Sequence, residues 1–84
     1  MWIRSQHGKF FTDCDYFEVE RFHGQYGVIT LNNRSDISVA LGIYSSEKKA
    51  LKVLDEIQKR TEYIYPKAFQ MPQDEEAELW FQKR

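Results

Sequence analysis

Hydrophobic and polar positions alternate most cleanly over residues 37–44, where Ile37, Val39, Leu41 and Ile43 fall on one side and Ser38, Ala40, Gly42 and Tyr44 on the other. Alternation with a period of two predicts a strand with one buried face. Immediately afterwards the period changes. Ala50, Val53, Leu54 and Ile57, with Leu51 beside them, recur at helical spacing, while Lys52, Asp55, Glu56, Lys59 and Arg60 fill the opposite face. Ser45 or Ser46 supplies an N-cap oxygen, and Glu47 suits the positive end of the helix dipole. The spacing predicts a helix over 46–60. Asp55–Lys59 and Glu56–Arg60 are acid-before-base pairs, worth about 0.2–0.5 kcal/mol each. Pro66 stops any continuation.

Upstream, the pattern predicts more strands joined by short turns. Residues 1–6 place Trp2 and Arg4 on one side and Ile3 and Ser5 on the other. His7-Gly8 is a turn signal, and the chain leaving it puts one ring of Phe10-Phe11 on each side. Asp13-Cys14-Asp15 favours a bend. Residues 16–22 alternate, His23-Gly24 predicts a hairpin, and 25–31 are rich in β-branched residues. Residues 32–36 carry loop chemistry. These elements predict an α+β fold: an antiparallel meander of four or five strands with the main helix packed on one face. Residues 63–72 are too apolar for a free linker and are expected to pack back along the sheet or helix, or on another chain. Over 73–84 the acids lead and the bases trail, as a helix dipole prefers, and Ala77, Trp80 and Phe81 would share a face. The organisation expected is one domain over 1–72 with a short amphipathic helix as a C-terminal extension.

Composition supports a globular chain. The protein has 84 residues, 42% hydrophobic and 30% charged, so a single core is expected. Aromatic residues reach 15%, which either fill a small core or lie outside as a binding face. The net charge of −1 is interleaved, so no positive field gathers nucleic acid. One cysteine excludes an internal disulfide. No leader pattern and no long apolar run is evident, which makes the cytoplasm the expected compartment.

Catalytic chemistry is poorly supported. His7 and His23 sit in turns, and their spacing from Cys14, Asp13 and Asp15 matches no zinc pattern. Carboxylates beside Cys14 oppose a reactive thiolate. Glu18 and Glu20 share a strand face without an evident cleft. No phosphate-cradling glycine loop occurs. No enzyme, metal or cofactor is therefore expected. The alternation instead points to an aromatic sheet face carrying Tyr16, Phe22, Tyr26 and Tyr44 with Glu18 and Glu20. Its cover is the chain's own tail, another protein, or a second copy of the chain. Tyr16, Phe22, Tyr26, Tyr44, Trp80 and Phe81 are the candidate partner-binding residues. A small-nucleotide ligand held between subunits by Arg4 or Arg34 is the alternative. Nucleic acid ranks lowest, and its site would be Lys48, Lys49, Lys52 and Lys59.

The opening Trp2-Ile3-Arg4-Ser5-Gln6, the block of Leu41-Gly42, Tyr44, Ser46, Glu47, Ala50 and Val53-Leu54-Asp55-Glu56-Ile57, and the closing Phe69-Gln70-Met71-Pro72 form a pattern. It resembles small proteins of phages and mobile elements of Gram-positive bacteria. The resemblance covers the two ends and the helix, and it carries no catalytic residues. It implies an accessory protein acting inside a host cell, of a kind that often modulates or counters a host system.

Overall fold

The computed structural model describes residues 1–31, 38–63 and 67–80. The strands are β1 (Trp2–Arg4), β2 (Phe11–Asp13), β3 (Glu18–Phe22), β4 (Gln25–Leu31), β5 (Ser38–Tyr44) and β6 (Phe69–Gln70). The helices are α1 (Glu47–Thr61), between β5 and β6, and α2 (Asp74–Trp80), after β6. The fold is α+β, as the pattern predicts. The strands divide into two three-stranded sheets, ordered β2-β1-β6 and β3-β4-β5. The larger sheet is the expected antiparallel meander. In the smaller, β1 pairs antiparallel with β2 and parallel with β6. The apolar segment after α1 thus does return to a sheet, burying Phe69, Met71 and Pro72.

The turn between β3 and β4 is made by His23 and Gly24, both at positive φ (50° and 74°), as a two-residue hairpin of this twist demands. It pairs Phe22 with Gln25, so even-numbered residues of β3 lie beside odd-numbered residues of β4. Glu18, Glu20 and Phe22 therefore share a face with Gly27 and Ile29. Tyr26, Val28 and Thr30 share the opposite face with Val19 and Arg21. The single aromatic face read from the sequence is thus split between the two sides of the sheet.

A second irregularity lies in β5. Val28 pairs with Gly42 but Ile29 pairs with Ala40, leaving Leu41 as the extra residue of a bulge. Beyond it the alternation reverses. Leu41 and Tyr44 enter the core, while Ile43 turns to the side of Gly27. The predicted apolar face of Val39, Leu41 and Ile43 is broken at this point, and Ile37 lies outside the described residues.

Ser46 caps α1, with extended backbone (φ −142°, ψ 154°) and its side-chain oxygen accepting from the Lys49 amide. Ala50, Val53 and Ile57 are buried against the larger sheet. Leu54 is half-buried and Leu51 is 43% exposed, so the apolar stripe is narrower than the spacing suggests. Glu56 pairs with Lys52 at 3.5 Å and Lys59 at 3.3 Å, and the Arg60 guanidinium sits 5.5 Å from the Phe69 ring centre. Neither acid–base pair read from the sequence is found among the described residues.

The core is shared by both sheets and both helices: Ile3 and Phe69 from the smaller sheet meet Val28, Leu41 and Tyr44, with Ala50, Val53, Ile57 and Ala77 from the helices. Gln6 joins the sheets. Its backbone amide donates to Leu41 O at 2.8 Å, and its side-chain amide both accepts from Ile43 N and donates to Ile43 O. A primary amide thus stands in for a peptide unit along the free side of β5, blunting that edge. The same Nε2 also donates to Pro72 O, and the Gln73 side chain donates to Gln6 O. The tail helix is held within the molecule. Asp74 accepts from the Ser45 amide, the Ser45 hydroxyl and Lys49 Nζ, Glu78 also pairs with Lys49, and Trp80 meets Phe69 edge-on. Among the described residues no helix is long and apolar enough to cross a membrane.

Candidate functional site

The smaller sheet has an inner face, with Ile3 and Phe69 buried, and an outer face fixed by register. Trp2 stands opposite Asp13, and Arg4 opposite Phe11. Directly opposed antiparallel residues project to the same side. The outer face is therefore a four-cornered patch with aromatic rings on one diagonal and charges on the other. Trp2 and Phe11 stack across their diagonal with centroids 5.0 Å apart and planes 20° from parallel. The Arg4 guanidinium lies 5.4 Å from the Phe11 ring centre and donates from Nη1 to Gly8 O at 3.1 Å. Asp13 Oδ1 accepts from the terminal ammonium at 2.7 Å. Trp2 remains 51% exposed and Phe11 48% exposed. Two large rings are thus ordered by each other and by a cation while half of their surface stays in water.

The turn behind this patch explains its order. Ser5, fully buried, exchanges backbone and side-chain hydrogen bonds with Phe10, and His7 Nδ1 accepts from the Lys9 amide. Gly8 takes φ 80°, where a side chain would be strained. His7 is a turn-building residue here.

The candidate residues from sequence fall in separate places. Tyr44 is buried, 1% exposed, and donates its hydroxyl to Pro72 O at 2.9 Å. Burial, with Asp74 and Glu76 adding to it, pushes that phenol well above its ordinary range. Tyr44 is part of the core and offers no surface to a partner. The half-buried Tyr26 ring lies on the same face of the larger sheet, with the Arg21 guanidinium 5.9 Å from its centre. Phe22 lies on the opposite face, its ring over Gly27, where a Cβ would come within 2.8 Å of Phe22 Cε1. Trp80 is half-buried against Phe69. Tyr16 is exposed and donates to Glu18 Oε2 at 2.8 Å, a bond that raises its pKa ahead of the carboxylate's charge. Arg4 belongs to the outer patch. Phe81 and Arg34 lie outside the described residues. The structure therefore does not gather the five described partner-binding candidates, Tyr16, Phe22, Tyr26, Tyr44 and Trp80, into one surface.

Tyr16 also borders an open groove of about 540 Å³ between the segment before β3 and the C-terminal half of α1, with Phe17, Leu54 and Ile57 among its walls. Cys14 is buried, and burial raises its thiol pKa more than the neighbouring Asp13 and Asp15 do. Among the described residues no three His, Cys, Asp or Glu side chains are grouped to hold a metal ion. The Lys48, Lys49, Lys52 and Lys59 set is likewise divided, since Lys49, Lys52 and Lys59 are all in ion pairs with acids of α1 or α2.

Trp2 and Phe11 are the residues that the sequence reading passed over. Their signal was present: alternation puts Trp2 beside Arg4 and sends one ring of Phe10-Phe11 outward. No protein-family model, curated protein or solved structure matches this chain.

Proposed function

We propose that this is a non-enzymatic binding protein that acts by occupying another protein surface. One observation supports the reading: the Trp2–Phe11 pair, stacked and half exposed beside Arg4 on the outer face of the smaller sheet. Tryptophan and arginine are the residue types that dominate interface energetics, and rings already held in place lose little entropy on docking. The resemblance to phage and mobile-element proteins adds a setting, in which the partner is a host protein or a copy of the chain and the site of action is the host cytoplasm.

The test is capture from cells that express the tagged chain. Trp2→Ala with Phe11→Ala should reduce recovery of any specific partner by about 30-fold or more, the effect of truncating a hot spot. Tyr63→Ala, which removes another exposed ring, should leave recovery unchanged. Equal recovery by all three proteins would refute the reading. A planar ring stacked beside a guanidinium also suits a nucleotide base, which is the alternative for Arg4. Thermal shifts with purine nucleotides decide that point, since a ligand held by the native state raises the melting temperature with concentration.

A further inference from the structure

We infer that the outer face of the smaller sheet is a self-complementary surface that pairs with a second copy of this chain. The inference rests on the binding role proposed above and names its partner. Its basis is the placement of four side chains. Trp2 and Phe11 occupy one diagonal of the patch, Arg4 and Asp13 the other. A two-fold axis lying along the aromatic diagonal places Trp2 over Trp2 and Phe11 over Phe11 of the second copy. The same rotation exchanges the off-axis corners. Arg4 of each copy then faces Asp13 of the other, so one operation forms two ion pairs.

The charges are available for this. Asp13 is 56% exposed, and among the described residues only its Oδ1 accepts a hydrogen bond. Arg4 uses Nη1 on Gly8 O and presents the rest of its guanidinium at the patch edge. A partner with a uniformly acidic or basic surface would meet one like charge at these two corners, whereas a second copy sets each Arg4 against an Asp13 whose Oδ2 is left for it, the terminal ammonium being on Oδ1. Four side chains make a small interface, so the pairing is weak and concentration-dependent, with a Kd on the order of 10–500 µM.

Sedimentation velocity across that concentration range tests the proposal with exposed-site variants, each checked for native circular dichroism. Wild type should form dimers. Arg4→Asp brings two carboxylates together at each intermolecular pair, and Asp13→Arg brings two guanidinium groups together. Each variant alone should therefore lose self-association by on the order of 100-fold. Mixed in equal amounts, the two variants form a heterodimer in which the substituted carboxylate of one faces the substituted guanidinium of the other. The unsubstituted Arg4 and Asp13 face each other at the second pair. The mixture should therefore associate about as tightly as wild type. A wild type that stays monomeric at about 0.5 mM, single variants that dimerise normally, or a mixture that stays monomeric would each overturn the proposal. Failure here remains distinguishable from failure of the binding role. A monomeric wild type whose cellular partner is lost with Trp2→Ala removes only the second copy. A monomeric wild type whose capture is unchanged in the Trp2→Ala, Phe11→Ala double variant removes both.

Discussion

The two sheets use aromatic residues in opposite ways. In the larger sheet the rings are absorbed by the fold: Tyr44 is buried with its hydroxyl satisfied, Tyr26 lies half-buried on the same face, and Phe22 closes over Gly27. In the smaller sheet Ile3 and Phe69 supply the core, and Trp2 and Phe11 face outward. Exposure follows from what lies against each face. The larger sheet packs against α1, whereas the outer side of β1 and β2 leaves Trp2 and Phe11 about half exposed. A high aromatic content in a small chain thus reports two things at once, and only topology separates them.

The largest expected effect is in the shared core. Ile57→Ala removes a fully buried side chain between α1 and the larger sheet and should cost about 2–5 kcal/mol in a urea melt. A cost under about 1 kcal/mol would show that α1 is not the cover of that sheet.

Next come two changes that probe the buried tyrosine. Tyr44→Phe removes one of the two donors to the Pro72 carbonyl, Gln6 Nε2 being the other, and should cost about 0.5–1.5 kcal/mol. Gly42→Ala would place a Cβ 2.7 Å from the Tyr44 hydroxyl, which is fixed by that bond, and should cost about 1–3 kcal/mol. Gly27→Ala offers the contrast. Its added Cβ meets Phe22 Cε1 at 2.8 Å, but the half-buried Phe22 ring can swing outward. The Gly27 variant should therefore be the milder of the two, and the reverse order in parallel melts would show that Phe22, and not Tyr44, is the ring fixed in place.

Much of this division was legible in the chain. The hairpin at His23-Gly24, a serine cap at Ser45 or Ser46, β4 and the Ala50, Val53 and Ile57 part of the α1 stripe were readable because each rests on local chemistry. The pairing parity of β3 with β4 was also latent there, since a two-residue turn fixes it, yet the sequence reading grouped Glu18 and Phe22 with Tyr26. The Leu41 bulge was not legible. It reverses the alternation of β5 through backbone pairing that no side-chain pattern encodes. The parallel return of β6 to β1 is equally non-local. For the candidate site, a single aromatic face predicts Tyr44 as a contact, whereas register and the bulge bury Tyr44 and leave Trp2 and Phe11 outside.

Smaller effects sharpen the outline. Leu54 lines the open groove and is half-buried, so Leu54→Ala should cost about 1 kcal/mol, well below Ile57→Ala. Acid should loosen α2. Burial alone would raise the Asp74 pKa, but hydrogen bonds from Lys49 and Ser45 outweigh it and hold the carboxyl below its ordinary value. The folded-state pKa is thus depressed, so this contribution is present above the unfolded value of about 3.9 and is lost as pH falls through the folded one. The contact is partly exposed and worth about 1 kcal/mol or less. Asp74→Asn should flatten that acid limb of the stability profile.

The division of labour is tested most directly by a urea melt of the Trp2→Ala, Phe11→Ala double variant. The stacked pair is worth about 0.5–1.5 kcal/mol beyond the burial of two half-exposed rings, so a loss of about 1–3 kcal/mol for the two side chains together is predicted, less than that of Ile57→Ala alone and with the fold intact. A loss equal to or greater than that of Ile57→Ala would contradict the account, because the outer rings would then be holding the fold together and would not be surplus to it.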